Sequence, residues 1–197
     1  QLRERFVDAG DQKSIQEADR LLDLVGHILE LAKIEATPGF AMQRISLSDI
    51  VQSTTGLFED SFVDKGINLE VSADIPDSEI FCSRPLIESA VSNLLSNAFK
   101  YAPAGSKATI DLARDHQHLV LSIQDEGPGV PDTDIGALAR RGRSSEADGN
   151  GFGLRHVQSV AIRHGARFVL ENTSPGLKAA LIFRQGYLEK RGERTGQ

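Results

Sequence analysis

The stretch Asn93-Leu94-Leu95-Ser96-Asn97-Ala98-Phe99-Lys100-Tyr101 lies within a long amphipathic pattern. Its apolar residues recur every three or four positions, and this period predicts a helix over Arg84–Tyr101. On such a helix Asn93, Asn97 and Lys100 share one face. Two amide carbonyls and an ammonium group on one face suit Mg²⁺ with a nucleotide, because a hard cation takes oxygen ligands and a lysine neutralises phosphate charge. A solvated polar stripe is the alternative, and this helix alone does not exclude it.

A second segment of interest is Leu119-Val120-Leu121-Ser122-Ile123-Gln124-Asp125-Glu126-Gly127-Pro128-Gly129. Strand alternation places Asp125 at the end of a wall made by every second apolar residue before it. A buried carboxylate needs hydrogen-bond donors, and the exocyclic amine of adenine is one candidate donor. Gly127 and Gly129 allow the backbone to turn and to approach a flat base closely. An ordinary acidic turn is the alternative interpretation.

A third segment, Gly149-Asn150-Gly151-Phe152-Gly153-Leu154, opens a helix predicted over Gly153–His164. Glycines before a helix expose backbone N–H groups, and the helix dipole favours an anion there. The segment lacks the Gly-Lys-Ser/Thr of a P-loop, and Leu154 occupies the third glycine position of a dinucleotide fingerprint. A flexible hinge is the alternative.

The remaining pattern predicts an α+β fold, a two-layer α/β sandwich with helices on one face of a mixed sheet. The predicted elements are a strand over Met42–Leu47, a helix over Asp49–Asp64 capped by Ser46 or Ser48, strands over Ile67–Val71, Ala108–Ala113 and Leu119–Asp125, a short helix within Asp132–Arg140, and a closing hairpin of Arg167–Glu171 and Lys178–Arg184.

A separate helical pattern precedes this domain, roughly over Lys13–Glu35, and Pro38 ends it. Its apolar seam alternates three- and four-residue spacings and is wide enough for a helix bundle; the seam residues are Ile15, Ala18, Leu22, Val25, Leu29 and Ala32. An ordinary amphipathic helix that packs on its own domain is the alternative.

Taken together and in this order, the three segments resemble the N, G1 and G2 boxes of the ATP-binding domain of sensor histidine kinases, the Bergerat (GHKL) fold. The wording from Asn93 to Pro103 is close to that of the family throughout, and the similarity extends from about Ser46 to Phe183. Leu29-Glu30-Leu31-Ala32-Lys33-Ile34-Glu35-Ala36 is similar to the second helix of the family's dimerisation and phosphotransfer domain. The resemblance implies a helical-bundle segment over 1–38 and a catalytic domain over 44–186. The polar, Gly- and Arg-bearing composition of 187–197 predicts a disordered tail.

The resemblance also implies a function. Two subunits would pair as a homodimer through their N-terminal helices, the γ-phosphate of ATP would pass to a bundle histidine, and a response regulator would then receive it. Asn97 would ligate Mg²⁺, Lys100 would contact phosphate and Asp125 would bind the adenine amine, so that Asn97 and Lys100 are the catalytic candidates. The implied ATP-binding residues are Asn93, Asn97, Lys100, Tyr101, Asp125, Gly127, Gly129, Gly149, Gly151, Gly153 and Leu154, with Pro131–Asn150 as a lid.

Two departures from the family pattern stand out. The lid carries Ala137-Leu138-Ala139-Arg140-Arg141-Gly142-Arg143 where the family has a phenylalanine-bearing F box. None of the five histidines has an H-box context, and we expect each to be structural or solvent-facing; they are His27, His116, His118, His156 and His164. We therefore expect the phosphoacceptor to lie upstream of Gln1, and the chain alone to be unable to phosphorylate itself.

The composition of the chain argues against several other classes of protein. The net charge of −6 argues against a nucleic-acid groove, and a single cysteine, Cys82, excludes a disulfide framework and a thiolate metal cluster and fits a reducing cytoplasm. The apolar runs fall short of the ~20 residues of a membrane helix, so we expect no membrane contact from this segment. If the intact protein is anchored in the inner membrane, its anchor lies outside the segment.

Two other functions compete with phosphoryl transfer. ATP-hydrolysing relatives such as DNA gyrase and the mismatch-repair ATPases resemble this fold but place a glutamate base one helical turn before the Mg-binding asparagine. Asn93 holds that position here, and an amide cannot accept a proton as a base does. A module that binds a nucleotide, or nothing, and signals by contact is the third class.

Overall fold

The computed structural model describes residues 42–76, 78–115, 117–131, 135, 138 and 152–184. The strands are β1 (Gln43–Ser46), β2 (Asn68–Ser72), β3 (Glu79–Cys82), β4 (Lys107–Arg114), β5 (His118–Asp125), β6 (Arg167–Asn172) and β7 (Leu177–Arg184). The helices are α1 (Leu47–Gly56), α2 (Glu59–Asp64), α3 (Arg84–Tyr101) and α4 (Phe152–Arg163). The α+β class is confirmed, and α3 has the bounds that its apolar period predicts.

One face of the main sheet forms the core of the domain. The strand order is β2-β4-β5-β7-β6, with β2 parallel to β4 and the other neighbours antiparallel. The register places Ile110 opposite Ile123 and Leu121 opposite Leu181, and all four side chains are buried. Because side chains alternate along a strand, this face is apolar while the other carries polar groups. The sheet therefore has one side that helices must cover.

Helix α3 is the central helix of that cover. It contacts α1, α4 and β5, and its inner face is buried; the buried residues are Leu86, Ile87, Ala90, Val91, Leu94, Leu95 and Ala98. Phe99 packs edge-on against Phe62 of α2, with ring centroids 5.5 Å apart. The helices thus form the second layer of the predicted two-layer sandwich. No helix in the described part of the chain is long and apolar enough to cross a membrane.

Two predicted elements differ from the structure. The single helix predicted over Asp49–Asp64 is wrong: α1 ends at Gly56 and α2 begins at Glu59, because glycine is a poor helix former. Ser46 is the N-cap, and its hydroxyl accepts a hydrogen bond from the Asp49 amide at 3.2 Å. Strand β3 was not predicted, since it has only four residues and its partner β1 lies more than thirty positions away.

Several predictions concern residues outside the described ranges. These are the helical segment 1–38 with its seam, the tail 187–197 and most of the lid. Within Asp132–Arg140, Ile135 and Leu138 are helical, and Leu138 is buried in the core.

Candidate functional site

The polar face of α3 is the floor of the candidate site. Asn93 and Asn97 are partly buried, whereas Lys100 and Tyr101 are exposed at the end of the helix. The Asn93 amide nitrogen donates to the Ser89 carbonyl at 2.9 Å, which orients the side chain. The Lys100 ammonium lies 5.1 Å from the centroid of the Tyr101 ring, a cation–π distance. One helix thus presents amide groups and a positive charge on the same side, as its spacing predicts.

Gly153 brings the third sequence segment onto this face. A Cβ atom at Gly153 would lie 3.0 Å from the Asn93 Oδ1 and 3.9 Å from the Asn97 Nδ2. The first turn of α4 therefore approaches both asparagines at a distance that a side chain would fill. Leu154 follows, partly buried and packed against the core. Gly149 and Gly151 lie outside the described residues.

Gly127 brings the second segment onto the other end of α3. A Cβ atom at Gly127 would lie 2.7 Å from the Asp125 Oδ1 and 2.9 Å from the Tyr101 carbonyl oxygen. Only glycine lets the loop after β5 pass so close to the last turn of the helix. The three segments, separated in sequence, therefore meet along α3.

Asp125 is a buried carboxylate at the end of β5, with 8% of its surface exposed. Its Oδ1 accepts a hydrogen bond from the Gly127 amide at 2.8 Å. Burial raises the pKa of Asp125 above its usual value, although the amides of Gly127 and Leu177 stabilise the charged form. A carboxylate has about four acceptor positions, so the group can accept a further N–H from a ligand.

Two side chains that support the site escaped the sequence interpretation. Asn172, at the end of β6, accepts from the Val130 amide at 3.0 Å and donates to the Val130 carbonyl at 2.6 Å, which secures the loop after Gly129. Lys65 donates to the carbonyls of Phe99 and, at 3.3 Å, Lys100. A cation there complements the dipole of α3 and satisfies carbonyls that lack helical partners. Neither residue belongs to a local pattern, so only their tertiary contacts reveal them.

The described histidines lie outside the three sequence segments that meet along α3. His118 is in the β4–β5 hairpin, where its Nδ1 lies 3.3 Å from the Asp115 carboxylate. His156 and His164 are buried, with 3% and 4% of their surfaces exposed. His27 and His116 are outside the described residues. Cys82 is buried too, and burial raises the pKa of its thiol to about 12, so the thiol stays protonated.

A family model described as "histidine kinase-, DNA gyrase B-, and HSP90-like ATPase" matches residues 82–186. The chain belongs to this family. The part of the chain that matches this ATPase family includes α3, β5 and α4, and therefore all three segments of the candidate site.

Curated relatives of this chain include proteins named as histidine kinases and as sensor proteins. It is 28% identical over 167 residues to the signal transduction histidine-protein kinase/phosphatase MprB of Mycolicibacterium smegmatis, covering 82% of the chain and 33% of MprB. It is 33% identical over 174 residues to the phosphate regulon sensor protein PhoR of Pseudomonas aeruginosa, covering 84% of the chain and 38% of PhoR. The chain therefore spans about a third of the length of these relatives.

Solved histidine kinase structures share the fold. The catalytic domain of histidine kinase ThkA superposes with a TM-score of 0.67 at 18% identity, covering 74% of this chain and 96% of that domain. ThkA in complex with the response regulator protein TrrA gives a TM-score of 0.68 at 18% identity and covers 86% of this chain and 48% of ThkA. The resemblance to the catalytic ATPase domain of two-component histidine kinases is thereby confirmed.

Proposed function

We propose that this chain binds ATP with Mg²⁺ on the polar face of α3 and transfers the γ-phosphate to a histidine on a preceding helix, from which a response regulator receives it. The observation that supports this most is the meeting of three segments on one helix. Gly153 lies against Asn93 and Asn97, and Gly127 lies against the carbonyl of Tyr101. Amide groups, a lysine, a buried carboxylate and a helix N-terminus are thus adjacent.

The residues present fit a magnesium ion. The Asn93 Oδ1 and the side-chain amide of Asn97 face Gly153, and the amide of an asparagine supplies the oxygen ligand that a hard cation prefers. Asn97 would ligate Mg²⁺, and Asn93 would line the same site. Mg²⁺ usually takes one or two protein ligands together with substrate phosphates and water. When bound, it would neutralise charge on the phosphates.

The other end of the site suits the adenine base. Asp125 is buried and holds acceptor capacity beyond the Gly127 amide, so its carboxylate would accept the exocyclic amine of adenine. Gly127 and Gly129 would shape this pocket, and Tyr101 would flank the nucleotide. An adenine amine is a donor, so the charged acceptor gives selectivity against a base with a carbonyl at that position.

Phosphoryl transfer asks mainly for position and charge neutralisation. Lys100 would contact phosphate. The N–H groups at the start of α4 would border the phosphates, and the residues concerned are Gly153 and Leu154 together with Gly149 and Gly151 before them. The site carries Asn93 one turn before Asn97, where hydrolysis would require a general base. This chemistry favours transfer to an imidazole over transfer to water.

The partners follow from this activity. ThkA, which shares the fold, has been crystallised with a response regulator, and this supports a response regulator as the second acceptor. A homodimer paired through the Ile15–Ala32 seam would carry the two catalytic domains. The Ile15–Ala32 seam lies outside the described residues.

The adenine contact is testable with Asp125→Asn. We expect ATP affinity to fall about 10- to 100-fold, because a hydrogen bond to a charged group contributes about 1.5–3 kcal/mol and the new amide sets a donor against the adenine amine. Calorimetric titration with Mg-ATP measures this. Asp111→Asn, the same change on the polar face of the sheet, is the matched control.

Stability separates this effect from misfolding. Because the folded-state pKa of Asp125 is raised above its usual value of 3.8, ionising this buried carboxyl lowers the free energy of unfolding. The loss begins above about pH 3.8 and is complete once the pH has risen through the folded-state pKa. The variant should therefore unfold at the same temperature as the wild type or higher at neutral pH. Equal ATP affinity in Asp125→Asn and wild type would remove the adenine assignment.

The acceptor assignment is testable by radiolabelling. Incubated with γ-labelled ATP and Mg²⁺, the 197-residue chain alone should remain unlabelled, because its histidines lack an H-box context. Addition of the upstream helix with its histidine, on the same or a separate subunit, should give an acid-labile phosphohistidine. Mass spectrometry locates the label. Label on His27 or on another histidine of this chain would contradict the acceptor assignment, and absence of label with the helix present would favour a binding module.

A further inference from the structure

His164 occupies the junction between the C-terminal end of α4 and the N-terminal end of α3. The Ser83 backbone amide donates to its Nε2 at 3.1 Å, across 81 residues of sequence, and both groups are buried. The Nδ1 lies 2.7 Å from the carbonyl oxygen of Val160. A carbonyl only accepts and an amide N–H only donates, so the proton is on Nδ1 and a lone pair is on Nε2. The geometry requires a neutral imidazole.

This junction and the nucleotide site are the two ends of one helix pair. Gly153, at the start of α4, lies against Asn93 and Asn97, whereas His164, at the end of α4, meets Ser83 just before α3. The two contacts are roughly three turns apart on each helix. Helices α3 and α4 are therefore antiparallel, with a polar contact at one end and the candidate site at the other.

We infer that His164 is a positioning residue for the nucleotide site: its neutral imidazole ties α4 to the amide of Ser83, the N-cap residue of α3, and so keeps Gly153 seated against Asn93 and Asn97. The inference rests on the proposed function. Protonation would put an N–H on Nε2 opposite the Ser83 N–H, two donors facing each other in a buried space. The tie would then open, and the register of the helix pair would be lost from that end.

The surroundings of His164 disfavour protonation. Burial lowers its pKa below the usual 6.5, and the neighbouring Arg163 lowers it further, while the Val160 carbonyl acts in the opposite direction. On α3, Arg84 and Glu88 pair with each other at 2.9 Å. On β3, Cys82 remains a neutral thiol, and Arg167 at the start of β6 is exposed.

The sign of the pH effect follows. With a folded-state pKa below 6.5, the unfolded chain binds more protons than the folded chain as the pH drops. The contribution of neutral His164 to the free energy of unfolding is therefore fully present above about pH 6.5 and is lost as the pH falls towards the folded-state pKa. Nucleotide affinity should fall only when the folded protein itself takes up this proton, near and below the folded-state pKa, because only the tied state seats Gly153 on α3.

Two variants of the whole chain test the inference. His164→Gln keeps an acceptor near the position of Nε2 but cannot titrate, and His164→Phe fills the volume without an acceptor. His118→Gln, in the exposed hairpin, is the control for loss of a histidine. Calorimetry with Mg-ATP from about pH 8 to about pH 5 compares all four proteins, so the protonation of ATP and of Asp125 affects each equally.

Below the folded-state pKa of His164, wild type and His118→Gln should lose affinity by up to about tenfold per pH unit, as expected for one proton linked to binding, and His164→Gln should lack this component. His164→Phe should bind more weakly at every pH. The ¹⁵N imidazole shifts of wild type at neutral pH should report a neutral ring protonated on Nδ1.

Three results would overturn the inference. Parallel affinity profiles in wild type and His164→Gln, through the pH at which the ¹⁵N shifts show His164 titrating and with ATP bound by both, would reject it and leave the proposed function intact. An imidazolium, or a ring protonated on Nε2, at neutral pH would do the same. Failure of wild type to bind ATP at any pH would reject both the proposed function and the inference.

Discussion

Asn97→Ala is expected to abolish phosphoryl transfer while the domain stays folded. If Asn97 ligates Mg²⁺, its loss removes the protein's hold on the ion that neutralises the phosphates, and a loss of about 10²- to 10³-fold in rate is expected for one preorganised group. The side chain is only partly buried, and alanine is the best helix former, so α3 should remain intact. Incorporation of γ-labelled phosphate into an added acceptor helix measures the rate.

Ser96→Ala is the matched control, since it also introduces an alanine into α3 but at an exposed position. Calorimetry with and without Mg²⁺ then separates the contributions. In wild type the ion should strengthen ATP binding, and in Asn97→Ala this enhancement should disappear. Labelling by Asn97→Ala at the wild-type rate would show that another group ligates the metal.

Gly176→Ala is expected to have the largest effect on stability. Gly176 lies in the turn between β6 and β7 with φ of +104°, which L side chains rarely adopt. A Cβ atom there would overlap the Asp125 carbonyl oxygen and lie 2.7 Å from the Asp125 carbonyl carbon and 3.0 Å from the Glu126 Cα. These are backbone atoms that cannot rotate away. We expect a loss on the order of 3–5 kcal/mol in the free energy of unfolding, measured by denaturant titration.

Gly105→Ala separates the two causes. Gly105 also has a positive φ, +81°, but a Cβ atom there meets nothing within 4 Å. It should cost only the backbone strain, about 1 kcal/mol. The collision at Gly176 involves Asp125, which we propose binds adenine. The fraction of Gly176→Ala that still folds should therefore also bind ATP more weakly. Equal destabilisation by the two substitutions would show that the β6–β7 turn moves freely away from β5.

Local patterns in the sequence were sufficient for the elements and for much of the site. The apolar period of α3 predicted its bounds and the common face of Asn93, Asn97 and Lys100, because side-chain direction repeats with the helix. Strand alternation likewise predicted a buried Asp125 at the end of an apolar face. The resemblance of the three boxes to a family then suggested their meeting, which no periodicity contains.

Contacts between distant segments were decided by the tertiary structure alone. Lys65 satisfies the end of α3, and His164 receives an amide 81 residues earlier in the chain, yet neither stands in a local motif. In the sequence, Gly176 is part of an ordinary hairpin turn. Only the packing of that turn against Asp125 excludes a side chain there. Periodicity arises from each segment's own backbone geometry, so the sequence determined which faces are apolar or polar. Which polar groups meet depends on how the layers close, and that packing determined the candidate site.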